Sequence, residues 1–519
     1  MADVPRKRFF AAAGLVAALS ILSRLLGYVR EALLASRFGA SAVTDSFLVA
    51  QEIPASIYFV ISASLVLAFI PVYRSMVQKR GEAEAWRLFN SVLNVTGLLS
   101  VVLLVVGWVL APFYMPLLVP GFPAEAVTLV VKLTRTMLPL LLIMGMNGLA
   151  GAVLNARERF GAPALVGFLS NLIVVAALFL VKKPDQILWV AVAVVLGGLL
   201  GMLVQVALLP RLGYRYQVRI DWQDPMLGLV GRLIVPVVIA TSVQQVQTFA
   251  TRLVASGLAE GTISALNYAN RIAALPYGVI GVAVTTVIFP TLAEQGAGER
   301  LAELRETIGR GMRILAFLLV PMAVGTFLFG EPLIRLVFER GAFTAEDTQV
   351  TGLALQYYCL GILFVGWVDL FNRTLYAVQD STGPMFAAIL TVGLNVLGNW
   401  LLVGPLGHGG LALSASLSYL VGVVLLLWRV QRRLGALPLW EVLRSVAGSL
   451  AGSLVGGLVG WGLLAGGTAV LGHGRLVQAA LVLGGLVLVL VCHVGLALGL
   501  KTAEGIWLRD WLGARLRRR

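Results

Sequence analysis

The chain has 519 residues, of which 59% are hydrophobic and 13% charged, with a mean hydropathy of +0.91. A soluble domain carries about 25% charged residues, so compact soluble enzyme folds are excluded and an integral membrane protein is expected. The net charge of +15 would suit nucleic acid, but its distribution along the chain points elsewhere.

Apolar runs long enough to cross a bilayer, which takes about 20 residues, occur near 9–37, 44–74, 89–112, 126–154, 163–181, 187–210, 226–257, 264–292, 312–331, 345–378, 385–404, 409–428, 446–468 and 476–500. They predict an all-α integral membrane fold of about 14 transmembrane helices, called spans 1 to 14 below. Continuous runs such as LVLGGLVLVLV exclude a transmembrane β-barrel, whose strands alternate. The opening MADVPRKRFF is basic and precedes an apolar segment without an A-x-A site before Arg24, so a retained first span is expected rather than a cleaved signal. Cys359 and Cys492 both lie in apolar runs, which rules out a disulfide framework. His408, His473 and His493 are scattered, so no metal site and no cofactor are expected.

With the N-terminus inside, alternate loops at 1–8, 75–88, 155–162, 211–221, 293–313, around 373, 429–444 and 501–519 carry about 26 Lys and Arg, against about 5 in the outer set. This asymmetry places both termini in the cytoplasm. The tail RDWLGARLRRR reads as an anchor to anionic lipid rather than a nucleic-acid arm.

The segments AQEIPASIYFVISASLVLAFIP (50–71) and ANRIAALPYGVIGVAVTTVIFP (269–290) share Ala50, Ile53, Ala55, Tyr58, Val60, Ile61 and Pro71 at an offset of about 219. LNARERFGAP (154–163) and LYAVQDSTGP (375–384) match at about 221. Span 2 thus pairs with span 8 and span 4 with span 10, giving two parallel six-helix repeats around a central cavity plus two extra C-terminal helices. The expected organisation is an N-lobe at 1–221, a C-lobe at 222–433, spans 13–14 at 434–500 and a basic cytoplasmic tail at 501–519. Such a plan belongs to transporters with a site between repeats.

Charges stand where lipid would penalise them. Arg24 and Arg30 lie inside span 1, Arg271 in span 8, Glu52 at its repeat position in span 2, and Asp45 at the start of span 2. A central Arg or Asp costs about 2.5–3.5 kcal/mol on insertion scales, a penalty that selects a wet or anion-binding interior. The planar guanidinium suits pyrophosphate because it binds oxygens bidentately and stays charged. An Arg271–Glu52 ion pair is the structural alternative. Arg37 and Arg252 near span ends fit snorkelling, and Lys132 and Arg135 in span 4 fit either reading.

Gln244, Gln245 and Gln247 in span 7, and Asn395 and Asn399 one turn apart in span 11, are candidates for a polar or ion path, with interhelical hydrogen bonding the equal alternative. Asp369 and Asn372 are ambiguous in the same way. The glycines of spans 13–14, as in GSLAGSLVGGLVGWG, suit close helix packing. No G-x-x-x-x-G-K-[ST] is present to support an ATP-driven pump.

The run SRLLGYVREALLASRFGASAVTDSF (23–47) resembles the opening signature of the MurJ/MviN family, lipid II flippases of the multidrug/oligosaccharidyl-lipid/polysaccharide exporter superfamily. YANRIAALPYGVIGVAVTTVIFPTLAE (268–294) is similar to the family's span 8 signature, and RTLYAVQDSTGP (373–384) resembles its loop after span 10. The resemblance covers most of 1–400. It implies a cationic cavity, a tail groove along spans 13–14, and a substrate that is the undecaprenyl-pyrophosphate-linked peptidoglycan precursor. It also implies that the essential arginines fall on Arg24, Arg30 and Arg271 and the acidic residue of span 2 on Asp45. Two departures stand out. Tyr58 and Phe59 replace an Arg-Arg pair of many members, and Gln247 and Asn399 stand near positions where some members carry sodium-binding carboxylates.

The expected function is therefore a flippase moving lipid II from the inner to the outer leaflet of a bacterial cytoplasmic membrane by alternating access, and not an enzyme. Its drive is expected from Na+, H+ or the membrane potential, its partners are the lipid-linked pyrophosphate, membrane lipids and cell-wall synthesis proteins, and a monomer is expected. Competing readings are a flippase for another polyprenyl-linked oligosaccharide and a drug/cation antiporter of the same superfamily, whose cavity would favour acidic groups. A membrane glycosyltransferase would need a catalytic carboxylate near a large outer loop, and the outer loops here are short.

Overall fold

In a bilayer every backbone N–H and C=O must be satisfied within the chain, so apolar runs can only resolve into helices. The computed structural model of the protein describes residues 3–298, 300–472, 474–506 and 509–510. His473 and the tail residues 511–519 lie outside the described residues. In chain order the helices are α1 Asp3–Phe38, α2 Ala42–Arg80, α3 Glu82–Leu118, α4 Ala124–Met137, α5 Leu140–Ala156, α6 Gly161–Leu180, α7 Ile187–Val206, α8 Pro225–Ser256 and α9 Thr262–Pro276. They continue as α10 Val282–Ala297, α11 Leu301–Leu328, α12 Gly330–Phe338, α13 Ala345–Cys359, α14 Ile362–Ala377, α15 Thr382–Leu406, α16 His408–Leu434, α17 Leu439–Leu471 and α18 Arg475–Gly499. Among the described residues, 12 segments are long and apolar enough to cross a membrane. α1 and α2, which hold the charged residues of spans 1 and 2, stand outside those 12, so the expected 14 is an approximate count.

Several single spans of the sequence are broken helices. Span 4 divides into α4 and α5 at Pro139, which lacks an N–H and cannot continue the ladder. Span 10 divides into α13 and α14 at Leu360–Gly361. Span 8 runs through Pro276 into a π-turn, Tyr277–Gly281, and continues as α10. Helix starts carry local caps: Asp224 accepts the Met226 N–H at 2.9 Å with Pro225 next in line, and Thr344 and Asp347 form a reciprocal capping box.

The helices cluster into two units, one of residues 1–264 with 340–343, the other of residues 265–339 with 344–519. The sequence division put α8 with the second lobe. In the structure α8 clusters with the first unit, where it packs along α2. Residues 340–343 belong to that unit because the Ala342 N–H donates to the Ser36 carbonyl at 2.8 Å. Gly341, at φ +62°, permits this approach, since a Cβ there would sit 2.1 Å from the Ser36 oxygen.

In the first unit Phe69, Tyr73, Trp86, Phe89 and Tyr214 pack together in tilted and edge-to-face contacts, with ring centroids 5.0–6.1 Å apart. The loop after α7 is tied across this cluster by Asn90, which accepts from the Tyr214 hydroxyl at 2.8 Å. In the second unit, α17 and α18 meet along a glycine seam. A Cβ on Gly456 would lie 2.5 Å from the Leu488 carbonyl, so the seam is a close-packing device.

Candidate functional site

Arg30 on α1 is held by side chains from two helices. Its Nη2 donates to Glu31 at 2.7 Å and its Nη1 to Asn171 Oδ1 on α6 at 3.1 Å. Asn171 in turn donates from Nδ2 to the Ser23 carbonyl at 3.1 Å, so one amide clamps α1 and aims the guanidinium. Glu31 is 3% exposed, and its charge is tolerable at that depth because Arg30 pairs with it. Neither Asn171 nor Glu31 was singled out from sequence, although both are polar groups inside apolar runs and the same cost argument finds them.

Arg24 is exposed on α1, six residues before Arg30. Arg271 belongs to the second unit and is exposed on α9. It precedes the π-turn, a distortion often found near functional sites. Gly281 closes that turn, where a Cβ would press 2.3 Å from the Tyr277 ring.

Asp45 is buried, and both carboxylate oxygens are engaged by protein donors. Oδ1 accepts the Ser264 N–H at 2.7 Å and its hydroxyl at 2.5 Å, and Oδ2 accepts the Gly261 N–H at 2.8 Å. A carboxylate at the start of α9 meets the unpaired N–H groups and the positive end of the helix dipole. Asp45 was expected among the residues that meet substrate. In this conformation its contacts make it an anchor between the start of α2 and the start of α9.

Glu52 lies 3.8 Å from Arg252 on α8 and accepts from the Ser56 hydroxyl at 3.2 Å. Arg252, read from sequence as snorkelling, is thus an ion-pair partner and only 16% exposed. Gln247 is partly buried on α8, and the side chain of Gln244 lies outside the described ones. Asn395 and Asn399 are buried in the contact of α15 with α16, where Ser414 donates to the Asn395 carbonyl at 2.8 Å and Asn399 to Asn395 Oδ1 at 3.4 Å. Asn395 thus bonds across to α16, while Asn399 bonds to Asn395 along its own helix. Asp369 pairs with Arg373 at 3.0 Å. Of the two aromatics that depart from the family pattern, Phe59 is exposed and Tyr58 half-buried.

Asp380, in the RTLYAVQDSTGP motif, is a residue sequence reasoning passed over. It accepts from Arg429 Nε at 2.8 Å, Thr382 Oγ1 at 2.8 Å and the Gly383 N–H at 3.0 Å, with Arg433 at 3.4 Å. The Arg429 guanidinium, with these other donors, holds its carboxyl well below the usual range.

A family model, "Lipid II flippase MurJ", matches residues 34–483. The chain belongs to the lipid II flippase MurJ family. Among curated relatives, "Lipid II flippase MurJ" of Burkholderia cenocepacia is 31% identical over 433 residues, covering 80% of this chain and 83% of the relative. "Probable lipid II flippase MurJ" of Thermotoga maritima is 30% identical over 414 residues, covering 79% and 83%. A solved structure titled "Lipid II flippase MurJ, inward closed conformation" superposes with a TM-score of 0.79 at 23% identity, over 96% of this chain and 99% of the other, a likeness of fold. The matched residues include both broken helices, α4–α5 and α13–α14, and the segments holding Asp45 and Arg271.

Proposed function

We propose that this protein is a lipid II flippase of a bacterial inner membrane, carrying the undecaprenyl-pyrophosphate-linked precursor from the inner to the outer leaflet by alternating access. The observation that carries the reading is the family match over residues 34–483, with membrane-spanning helices throughout. The pyrophosphate is assigned to Arg24, Arg30 and Arg271. Arg30 is pre-aimed by Asn171 and Glu31, which lowers the ordering cost of binding. Glu52 with Arg252 and Asp45 with the start of α9 position the backbone rather than contact the head group. The apolar outer faces of α17 and α18, where Leu454, Leu458, Val487 and Val491 are exposed, suit a polyprenyl chain.

Both termini are assigned to the cytoplasm from the loop charges. The drive is assigned to an ion gradient or to the membrane potential, which acts at about 2.3 kcal/mol per charge per 100 mV. The test is rescue of a strain depleted of its own lipid II flippase. Growth with restored outer-leaflet lipid II is expected. A well-expressed, inserted protein that fails to restore it would move the assignment to another polyprenyl-linked glycan.

A further inference from the structure

The segment 210–224, which links α7 to α8, is left unused by the flippase reading. α3 holds it with side chains that act as the edge of a sheet would. Asn90 Nδ2 donates to the Arg215 carbonyl at 3.3 Å, and Asn94 Nδ2 to the Gln217 and Arg219 carbonyls at 2.8 and 2.9 Å. Asn90 Oδ1 accepts the Gln217 N–H at 3.2 Å, and the Asp221 N–H donates to Ser91 Oγ at 3.1 Å. Bonds at every second residue are those of an extended chain, in which Tyr214, Tyr216 and Val218 share one face and Arg215, Gln217 and Arg219 the other. The segment is thus fixed on α3, and its depth in the membrane follows from that helix.

Large apolar side chains of α3 are covered up to Leu93 and become exposed between Leu98 and Leu117. That band of about 20 residues rises about 30 Å, the thickness of the hydrocarbon layer. Asn94 stands one turn before Leu98, about 6 Å outside the band, and Asn90 about 12 Å outside, so the segment they hold crosses the headgroup layer. The flanking helices agree: exposed apolar side chains end with Val206 on α7 and resume with Leu229 on α8. At this level Tyr216, Val218 and Trp222 are 59%, 89% and 70% exposed, and Arg211, Arg215 and Arg219 are exposed beside them. Arg219 lies 3.7 Å from Asp221, and the Asp224 carboxylate caps α8, whereas neither Arg211 nor Arg215 has a carboxylate partner among the described residues. In water such apolar exposure is penalised. At the headgroup level, aromatic rings and arginine stems stand where they are favoured. Their uncompensated charge is drawn to an anionic surface and not to a zwitterionic one. A soluble protein would have to enter the headgroup layer to reach the same side chains.

We infer that segment 210–224 is a docking surface for anionic phospholipid headgroups, with Arg211 and Arg215 on the phosphates and Val218 and Trp222 in the apolar boundary beneath them. This surface fastens the link from α7 to α8 at one depth of the membrane. It rests on membrane insertion alone and not on the substrate assigned to the arginines of α1 and α9.

The test places an environment-sensitive fluorophore at Val218→Cys, in the full-length protein carrying Cys359→Ala and Cys492→Ala, reconstituted in nanodiscs. Nitroxide lipids carry the quencher at the headgroup or at mid-chain, in phosphatidylcholine alone or mixed equally with phosphatidylglycerol. Headgroup quenching is expected to exceed mid-chain quenching about 3-fold, and to rise about 2-fold when phosphatidylglycerol is present. Arg211→Gln/Arg215→Gln should remove that rise and keep the depth ratio. Equal headgroup quenching in the two lipid mixtures overturns the inference, as does a rise that survives in the double variant. A probe quenched only by iodide in the water, or most strongly at mid-chain, overturns it as well. So does loss of the rise on adding millimolar inorganic pyrophosphate, which would assign the arginines to a substrate head group. Should the double variant fail to insert, NaCl at about 0.5 M on the parent protein decides, since it shortens the screening length to about 4 Å. A rise that persists in salt overturns the inference, and a rise that is lost supports it.

Discussion

Glu158 and Gln379, about 221 positions apart, hold the same left-handed backbone, with φ of +60° and +59°. The hydrogen bonds around them are also the same. Arg159 N–H donates to the Leu154 carbonyl and Asp380 N–H to the Leu375 carbonyl, each at 2.8 Å, while Arg157 and Val378 donate to Val153 and Thr374. Each ends the second half of a broken helix with a left-handed cap. Such a conformation is uncommon for residues other than glycine, so its recurrence at the offset of the sequence repeat marks the two segments as copies of one structural unit.

The shared cap predicts a shared response to substitution. A β-branched residue in the left-handed region adds strain, so Glu158→Val and Gln379→Val should each destabilise by about 1–2 kcal/mol, while glycine at either position should be neutral or stabilising. Thermal unfolding of the four variants in detergent reads this out. Opposite signs at the two positions would mean that the caps are not equivalent.

Removal of the arginine side chains should abolish translocation without loss of the fold. Arg24→Ala, Arg30→Ala and Arg271→Ala are each expected to insert normally and to show no flipping in a reconstituted lipid II assay. Lysine replacements should recover part, because a point charge lacks the bidentate fork. Asn171→Ala should leave Arg30 charged but loosely aimed, with intermediate activity. Near-normal flipping in any two of the alanine variants would remove the pyrophosphate assignment.

The Asp45 anchor should be visible in stability. Asp45→Ala leaves the Gly261 and Ser264 N–H groups buried without an acceptor and should cost about 2–3 kcal/mol. Asp45→Asn, which keeps one oxygen, should cost about 1 kcal/mol less. Unfolding midpoints measured in one detergent compare the two. A loss below about 0.5 kcal/mol in Asp45→Ala would show that the cap contributes little.

Asp380 should make stability pH-dependent on the acid side. Its folded carboxyl is held below the ordinary range, so its contribution is complete above about pH 4, the unfolded value, and is lost as pH falls further toward the folded value. Asp380→Asn should therefore be destabilised relative to wild type, by on the order of 2 kcal/mol at neutral pH given that Arg429 is partly exposed. The gap should close progressively below pH 4. A gap that is constant between pH 3 and pH 7 would mean that the charge of Asp380 is not what stabilises the loop.

Much of this protein was fixed by its sequence alone. In lipid the backbone has no solvent to bond with, so apolar runs of about 20 residues must be helices. The repeat offset followed from Tyr58 and Tyr277, and the unusual arginines followed from the cost of charge at membrane depth. Family membership followed from three local signatures around Arg24, Arg271 and Asp380. Hydropathy could not show where a span breaks, because Leu138–Pro139 and Leu360–Gly361 are as apolar as their neighbours. Nor could it pair side chains that are far apart in the chain. That Asp45 caps α9, that Glu52 takes Arg252 and that Asn171 aims Arg30 depend on contacts between residues 141 to 219 positions apart, from Arg30 with Asn171 to Asp45 with Ser264, and the clustering of α8 with the first unit depends on packing in the same way. Such contacts form only once the helices have packed, because a polar side chain in a water-free interior takes whichever partner the packing brings within reach.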